Sequence, residues 1–526
     1  MSVLKIEDYT NLGISLAYFS LTAWIIWKIW VFFTPRDSHS VRSVAVLVLG
    51  DIGRSPRMMY HAESFAENAF ITEVIGYGGS KPIPALERLP RVQLRYLPEP
   101  PEFLRFIPFI VAAPIKVSIQ VVSILLELLV RIPKAPEFIL VQNPPSIPTL
   151  ALVWLVGCIR GSKVIIDWHN LGYSILALKV GKTHPLVKIS EWFEKTFGRC
   201  AYAHLFVTKA MRDYLVEKWD LQGRKAILHD RPPHHFHRAS SQETHELFRR
   251  LQIPLMAHKD LQGFLPQSSL PYSTAFTQVV PPSHSKPSSR SKATVESAYT
   301  EVQLPTVRPD RPALVVSSTS WTPDEEFGIL LEALTLYEVH AQNAAKQSTK
   351  SKLPKVLMVV TGKGPMRDSY IQKVTKLQKT WEYVRCVSLW LEAEDYPILL
   401  GSADLGVSLH SSSSDLDLPM KVVDMFGCKL PVCALDFKCL GELVQNDVNG
   451  LVFKNASQLA EQFVNLLEGF PNSTPRLNTL RTNLINAASS SRGRSPQIAS
   501  ESDWYWGSWD ENWNSTVKPL LFRTLP

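Results

Sequence analysis

Cysteine is scarce in this chain, with 6 in 526 residues. None forms a CxxC pair, and their spacing suits no zinc site. Cys158 and Cys433 sit in apolar surroundings, where a free thiol behaves as a small hydrophobe. This usage implies a reducing compartment. Two phosphate-binding fingerprints are also missing. There is no GxGxxG and no GxxxxGK[ST], so neither a dinucleotide site nor a P-loop is announced. Charged residues make up only 20% against 45% hydrophobic, which excludes a largely disordered chain. The net charge of +8 favours an anionic partner or surface. The basic residues lack interleaved aromatics and any nucleic-acid motif, so no nucleic-acid partner is expected. His234, His235 and His237 crowd one proline-flanked loop. Histidines this close in sequence rarely all reach one ion, so no metal site is expected.

Residues 12–33 form a nearly unbroken apolar run. At ~1.5 Å per residue it spans roughly the ~30 Å core of a bilayer. Lys28 lies near enough to its end to snorkel, and Trp24, Trp27 and Trp30 suit an interfacial belt. No small-residue cleavage site follows, which argues against a removed signal peptide. Lys5, Glu7 and Asp8 precede the run, whereas Arg36, Arg42, Arg54 and Arg57 follow it. The positive-inside rule then makes residues 1–11 a lumenal tail and puts the body in the cytosol. Sequons at Asn455, Asn472 and Asn514 are chance matches in that orientation. A second apolar stretch, 103–130, is broken by Pro108 and Pro114. Its unbroken half is short for a span, so it reads as a helix in the membrane interface or as a face receiving a lipid.

From Ser43 onward, short apolar runs alternate with helical ones. Runs at 43–50, 91–97, 138–142, 163–169 and 204–208 lack alternation, as in a parallel sheet covered on both faces. A second series begins at Arg311, with runs at 355–364, 383–389, 403–410, 429–435 and 449–453. The expected fold is α/β, with two doubly wound Rossmann-like domains facing across a cleft behind an N-terminal transmembrane helix. The domains span 41–237 and 311–487. Residues 238–310 form an insertion or linker, rich in Pro, Ser and Thr over 264–303. A Ser-rich break at 488–502 precedes a tryptophan-bearing C-terminal segment, 503–526, expected to dock back on the body.

Four motifs carry the chemistry. In LGDIGRSPRM (49–58), Gly50 and Gly53 let backbone approach a ligand, and Arg54 and Arg57 could hold a diphosphate. Asp51 ends the strand there. In IDWHN (166–170), Asp167 and His169 lie at another strand end, where a histidine can act as a base. In VVTGKGP (359–365), Gly362, Lys363 and Gly364 form a candidate phosphate cradle ahead of a helix. In the 408–427 segment a helix begins near Pro419 and puts Lys421 and Asp424 on one face. Lys421 and the helix start could neutralise a leaving diphosphate, and Asp417 or Asp424 could bind ribose hydroxyls.

Taken together these stretches resemble the chitobiosyldiphosphodolichol β-mannosyltransferase family. The resemblance rests on LGDIGRSPRMMYHA (49–62), DWHNLGYSI (167–175), VSSTSWTPDEEFGILLEAL (316–334), TGKGP (361–365), WLEAEDYPILLGSADLGVSLH (390–410), LDLPMKVVDMFG (416–427) and NGLVF (449–453). It implies a GT-B fold, GDP-mannose as donor substrate with no further cofactor, and GlcNAc2-diphosphodolichol as acceptor. It also implies a β-1,4 linkage formed with inversion at the cytosolic face of the endoplasmic reticulum. Ser320 joins the nucleotide-sugar residues on this basis. Membrane lipid and other dolichol-pathway mannosyltransferases are the implied partners. Two residues depart from the pattern. Asp415 stands where the SSSGLDLP pattern has Gly, and Lys429 where a small residue is usual. Related retaining enzymes carry an acid eight positions before the helix acid. Here that position is Leu416, which is consistent with inversion. Asp51, Asp167 and His169 remain unranked as the catalytic base, while basic residues and helix starts stand in for a metal at the leaving group. A scaffold without catalysis and a transferase with another donor are the competing readings.

Overall fold

A computed structural model of the chain describes residues 22–24, 26, 42–106, 108–279, 304–322, 325–347, 352–411, 414–490 and 506–522. The 1–11 tail, most of the 12–33 anchor, the latter part of the 264–303 insertion and most of the 488–502 break lie outside the described residues. Contacts divide the chain into two compact units. The first comprises Met1–Val207, Met211–Ile227 and Leu520–Pro526; the second comprises Thr208–Ala210 and Leu228–Pro519.

The first unit is built on a seven-stranded sheet of β1 (Ser43–Asp51), β2 (Ile71–Tyr77), β3 (Val92–Tyr96), β4 (Phe138–Asn143), β5 (Lys163–Trp168), β6 (Cys200–Phe206) and β7 (Gln222–Ile227). The order is β3-β2-β1-β4-β5-β6-β7, and every pairing is parallel. Val44 to Val48 of β1 are buried throughout, as expected of a strand with helices over both faces. Two strands escape the apolar pattern. β2 carries buried Thr72 and Glu73, and Glu73 is satisfied by Arg95 of β3 at 2.5 Å. β7 (QGRKAI) lies at one sheet edge, where its residues are largely exposed and polar side chains meet solvent.

Helix α1 (Pro56–Glu67) leaves the end of β1, with proline in its first turn and Met58, Met59, Ala62 and Phe65 in the core. Helix α2 (Phe109–Leu126) continues through a π turn to Arg131. It buries Ile124 and Leu128 while Val122, Leu126 and Val130 face outward. Ala112–Arg131 is 20 residues long and apolar enough to cross a membrane by length and composition.

The second unit carries a short ribbon of β8 (Thr277–Gln278) and β9 (Thr306–Val307), then a six-stranded parallel sheet. Its strands are β10 (Ala313–Ser318), β11 (Val356–Thr361), β12 (Val384–Leu389), β13 (Leu405–Ser408), β14 (Val432–Leu435) and β15 (Gly450–Phe453). The order β12-β11-β10-β13-β14-β15 reverses direction between β10 and β13, the kind of switch point where doubly wound sheets bind ligands. One face packs on Phe327, Leu330, Tyr337 and Phe463; the other packs on Phe248, Val423, Phe426 and Trp506.

Residues 238–279 are more ordered than their composition suggests. Ser240 and Glu243 form a capping box for the helix Ser241–Arg250, and Leu247, Phe248 and Phe276 enter the core. In the C-terminal segment, Trp506, Trp509 and Trp513 are buried, and Arg231 lies 4.6 Å from the Trp506 ring centroid. Its last residues belong to the first unit, where Tyr202 Oη donates to the Leu520 carbonyl at 2.8 Å. The clustered histidines diverge, His234 to Asp510 and His237 to Glu243.

The two departures from the family pattern share a backbone cause. Asp415 has φ 58° and Lys429 has φ 55°, both in the left-handed region where glycine carries no penalty. Lys429 follows the helix Met420–Gly427 and its cap Cys428. Its amide donates to Phe426 O at 3.0 Å, and Leu430 N donates to Met425 O at 3.0 Å, which closes a Schellman turn. Lys429→Gly is expected to stabilise the second unit by about 1 kcal/mol. Asp415→Gly should give less, because aspartate tolerates this conformation better. Chemical denaturation of each variant beside the parent checks both values.

Candidate active site

At the carboxyl edge of the first sheet, Asp167 ends β5 with its side chain 0% exposed. Arg57, 4% exposed, grips it with two bonds, Nε to Oδ2 at 2.8 Å and Nη2 to Oδ1 at 2.9 Å. His61 lies one turn further along α1, and its Nε2 is 3.2 Å from Asp167 Oδ2. His169 Nε2 approaches the same oxygen at 2.7 Å, and His169 is 21% exposed. Burial alone would raise the Asp167 pKa. The Arg57 charge, with His169 and His61 beside it, instead holds the carboxyl well below its ordinary value. His61 is pushed down, because burial outweighs its bond to Asp167.

This geometry shows what two of the sequence candidates are bonded to. Asp167 is closed to solvent and its two oxygens are engaged by Arg57, His61 and His169. Arg57, a diphosphate candidate from sequence, is bound to Asp167 through two nitrogens. His61, the residue missed, was signalled by its four-residue spacing from Arg57 on an amphipathic helix.

Asp51 is occupied as well. Its carboxylate accepts from Gly53 N at 3.0 Å, from Ser80 N at 2.9 Å and from Ser80 Oγ at 2.8 Å, and Arg54 Nε stands 3.4 Å away. It ties the loop after β1 to the loop after β2. Gly53 is required by that packing, since a β-carbon would meet Ser80 O at 2.5 Å; at Gly50 the space is open. Arg54 remains exposed.

The second site lies at the carboxyl edge of the second sheet. Glu325, whose side chain is 4% exposed, accepts from the amides of Ser320 at 2.7 Å and Trp321 at 2.9 Å, and from Thr319 Oγ1. Its other oxygen binds Lys421 Nζ at 2.6 Å, and Lys421 also donates to Ser320 Oγ at 3.2 Å. Ser320 and Lys421 are thereby brought together by Glu325, a residue no spacing rule singled out. Gly362, with φ 118°, and Gly364 pack on the same loop. A β-carbon on either would come within 1.8 Å of the Thr319 or Ser320 carbonyl. These glycines therefore serve loop-to-loop contact, and the Lys363 ammonium rests 3.6 Å from the Trp390 ring centroid.

Asp417 follows β13, with His410 Nε2 3.7 Å away and Ser414 Oγ at 3.4 Å. Asp424 lies one turn along the helix from Lys421 and close to Tyr396 and Asp230. Burial and the Asp230 charge push its pKa up to about 8, against the pull of Lys421 and Tyr396. An edge of the residue still reaches solvent.

A family model described as glycosyl transferases group 1 matches residues 314–469, the β10–β15 half. A Homo sapiens protein named chitobiosyldiphosphodolichol beta-mannosyltransferase is 41% identical, covering 95% of this chain and 95% of its own length. An Arabidopsis thaliana protein named UDP-glycosyltransferase TURAN is 39% identical, covering 91% of this chain and 97% of its own length. In fold, the crystal structure of Anabaena HepE with UDP and glucose matches with a TM-score of 0.50 at 13% identity, covering 86% of this chain and 95% of that one. Two doubly wound units with cationic and carboxylate groups at their carboxyl edges define a GT-B glycosyltransferase. The chain belongs to the chitobiosyldiphosphodolichol beta-mannosyltransferase family.

Two measurements check the site. Asp167→Asn leaves Arg57 buried without its counter-ion and should destabilise the chain by about 3–5 kcal/mol, read as a fall in the denaturation midpoint. For Asp424 the direction follows from linkage. The folded chain holds this proton up to about pH 8, whereas the unfolded chain releases it near pH 4. Between those values the folded state binds more protons, so stability falls as pH rises. Asp424→Asn should flatten that decline in a series of melts from about pH 5 to about pH 8.

Proposed function

We propose that the chain is an inverting mannosyltransferase that moves mannose from GDP-mannose to GlcNAc2-diphosphodolichol, forming a β-1,4 linkage. The observation that carries this reading is identity above 40% along nearly the whole length of relatives named for that acceptor and linkage. The donor nucleotide is the less supported half, because one relative of similar identity is named for UDP. The reaction is the first mannosylation of the lipid-linked oligosaccharide, at the cytosolic face of the endoplasmic reticulum. The body is held there by the 12–33 segment and by the outward apolar side of α2.

Inversion needs one in-line displacement. The acceptor 4-hydroxyl loses its proton to a base as its oxygen bonds to the anomeric carbon, and the bond to GDP breaks. His169 is the proposed base. Asp167 fixes the ring through Nε2, which leaves Nδ1 as the accepting nitrogen. Lys421, steered by Glu325, and Lys363 stabilise the departing diphosphate. Asp424 faces the ribose hydroxyls. Asp415 is exposed and accommodated by its backbone, so nothing about it favours a scaffold without catalysis.

Transfer of labelled mannose from GDP-mannose to a GlcNAc2-diphosphate polyisoprenoid by the detergent-solubilised chain tests the proposal. The product should be released by β-mannosidase and not by α-mannosidase. Inhibition by UDP but not GDP would replace the donor. His169→Ala should lower kcat at least about 100-fold with little change in the donor KM. Unchanged kcat would remove His169 as the base.

A further inference from the structure

A buried carboxyl group stands behind the loop that carries His169 and takes no part in the proposed transfer steps. Glu194 lies on the helix Pro185–Gly198 and is 0% exposed. Its partners are N–H groups rather than a cation. Oε1 accepts from Asn143 Nδ2 at 2.5 Å and from Gly172 N at 2.9 Å, and Oε2 accepts from Tyr173 N at 3.2 Å. Burial pushes its pKa up, against the pull of these three bonds. Each bond leads to the loop between β5 and the helix Gly172–Val180. Gly172 and Tyr173 open that helix, so Glu194 fills two of the amides that a first turn leaves unpaired. Asn143 ends β4 and is equally buried. Its carbonyl accepts the His169 amide at 2.9 Å, and its Nδ2 also reaches the Asn170 carbonyl at 3.4 Å. The backbone of residues 169–173 is thus held from behind by Glu194 and Asn143, while Asp167 meets the His169 ring from β5.

We infer that Glu194 is a positioning residue for His169, fixing the backbone of residues 169–173 in the place from which the imidazole meets the acceptor hydroxyl. It acts through Asn143 and through the amides of Gly172 and Tyr173, and it touches no substrate itself. The inference rests on the reading of His169 as the base. Without the Glu194 oxygens, two amides and the Asn143 side chain are left buried and lacking an acceptor, so the loop has to shift to satisfy them. A shift of about 1 Å in a reacting group can cost on the order of 100-fold in rate.

Transfer kinetics on the full-length chain in detergent, for Glu194→Gln, His169→Ala and the double variant, test this. Glu194→Gln keeps the volume and one acceptor but sets an amide nitrogen against backbone donors. It should lower kcat about 10-fold or more and move the donor KM by no more than about twofold. In the His169→Ala background the same change should lower kcat no further, because the group it positions is gone. Glu194→Asp, which keeps both oxygens, is the milder companion should the glutamine variant not fold. It should show a smaller loss of kcat, again absent when His169 is alanine. An equal further loss in the His169→Ala background overturns the inference, since Glu194 then supports the fold independently of His169. So does unchanged kcat in both Glu194 variants while His169→Ala is impaired, which leaves the base reading standing. Unchanged kcat in His169→Ala overturns the base reading and the inference together.

Discussion

Parallel strands cannot be joined by tight turns, and this constraint organises both units. Each strand must be followed by a long return, usually a helix over one face of the sheet. With both faces covered, the strands become uninterrupted apolar runs, as Val44–Val48 and Val356–Val360 show. Polar groups are then few on the covered faces and collect where the strands end. Asp51, Asp167, Ser320, Lys363, Trp390 and His410 all lie at or just beyond carboxyl ends.

Within that edge, buried carboxylates do most of the positioning. Asp167 holds Arg57, His61 and His169 around one pair of oxygens. Glu325 binds two backbone amides, a hydroxyl and Lys421. Glu194, fully buried, does the same for Asn143 and the amides that start the helix Gly172–Val180. A charge removed from water persists only when its lone pairs are filled, so each of these residues fixes the loops around it. The outer residues they hold, His169 and Lys421, stay partly exposed.

The two units differ in what they offer a substrate. The first carries an imidazole oriented by a buried ion pair, together with an apolar helix side fit for lipid. The second carries lysines near helix starts and the group 1 glycosyltransferase match. The proposed base and the apolar helix side suit an acceptor, and cations at a sheet switch point suit a nucleotide sugar.

The sequence alone determined the class of fold, because hydrophobic runs without alternation followed by helical stretches admit little else than covered parallel sheets. It also located the motifs, since glycines, prolines and charges at strand ends are local signals. β2, with its internal Glu73, and β7, at an edge, were not legible, because their polar residues are satisfied by neighbours distant in sequence or by solvent. The roles within the site were decided only by tertiary structure. Arg57 and Asp167 are 110 residues apart, and Glu325 and Lys421 are 96 apart. Whether a carboxylate is free to take a proton or already holds a cation depends on which strand ends the sheet order brings together, and no local pattern encodes that.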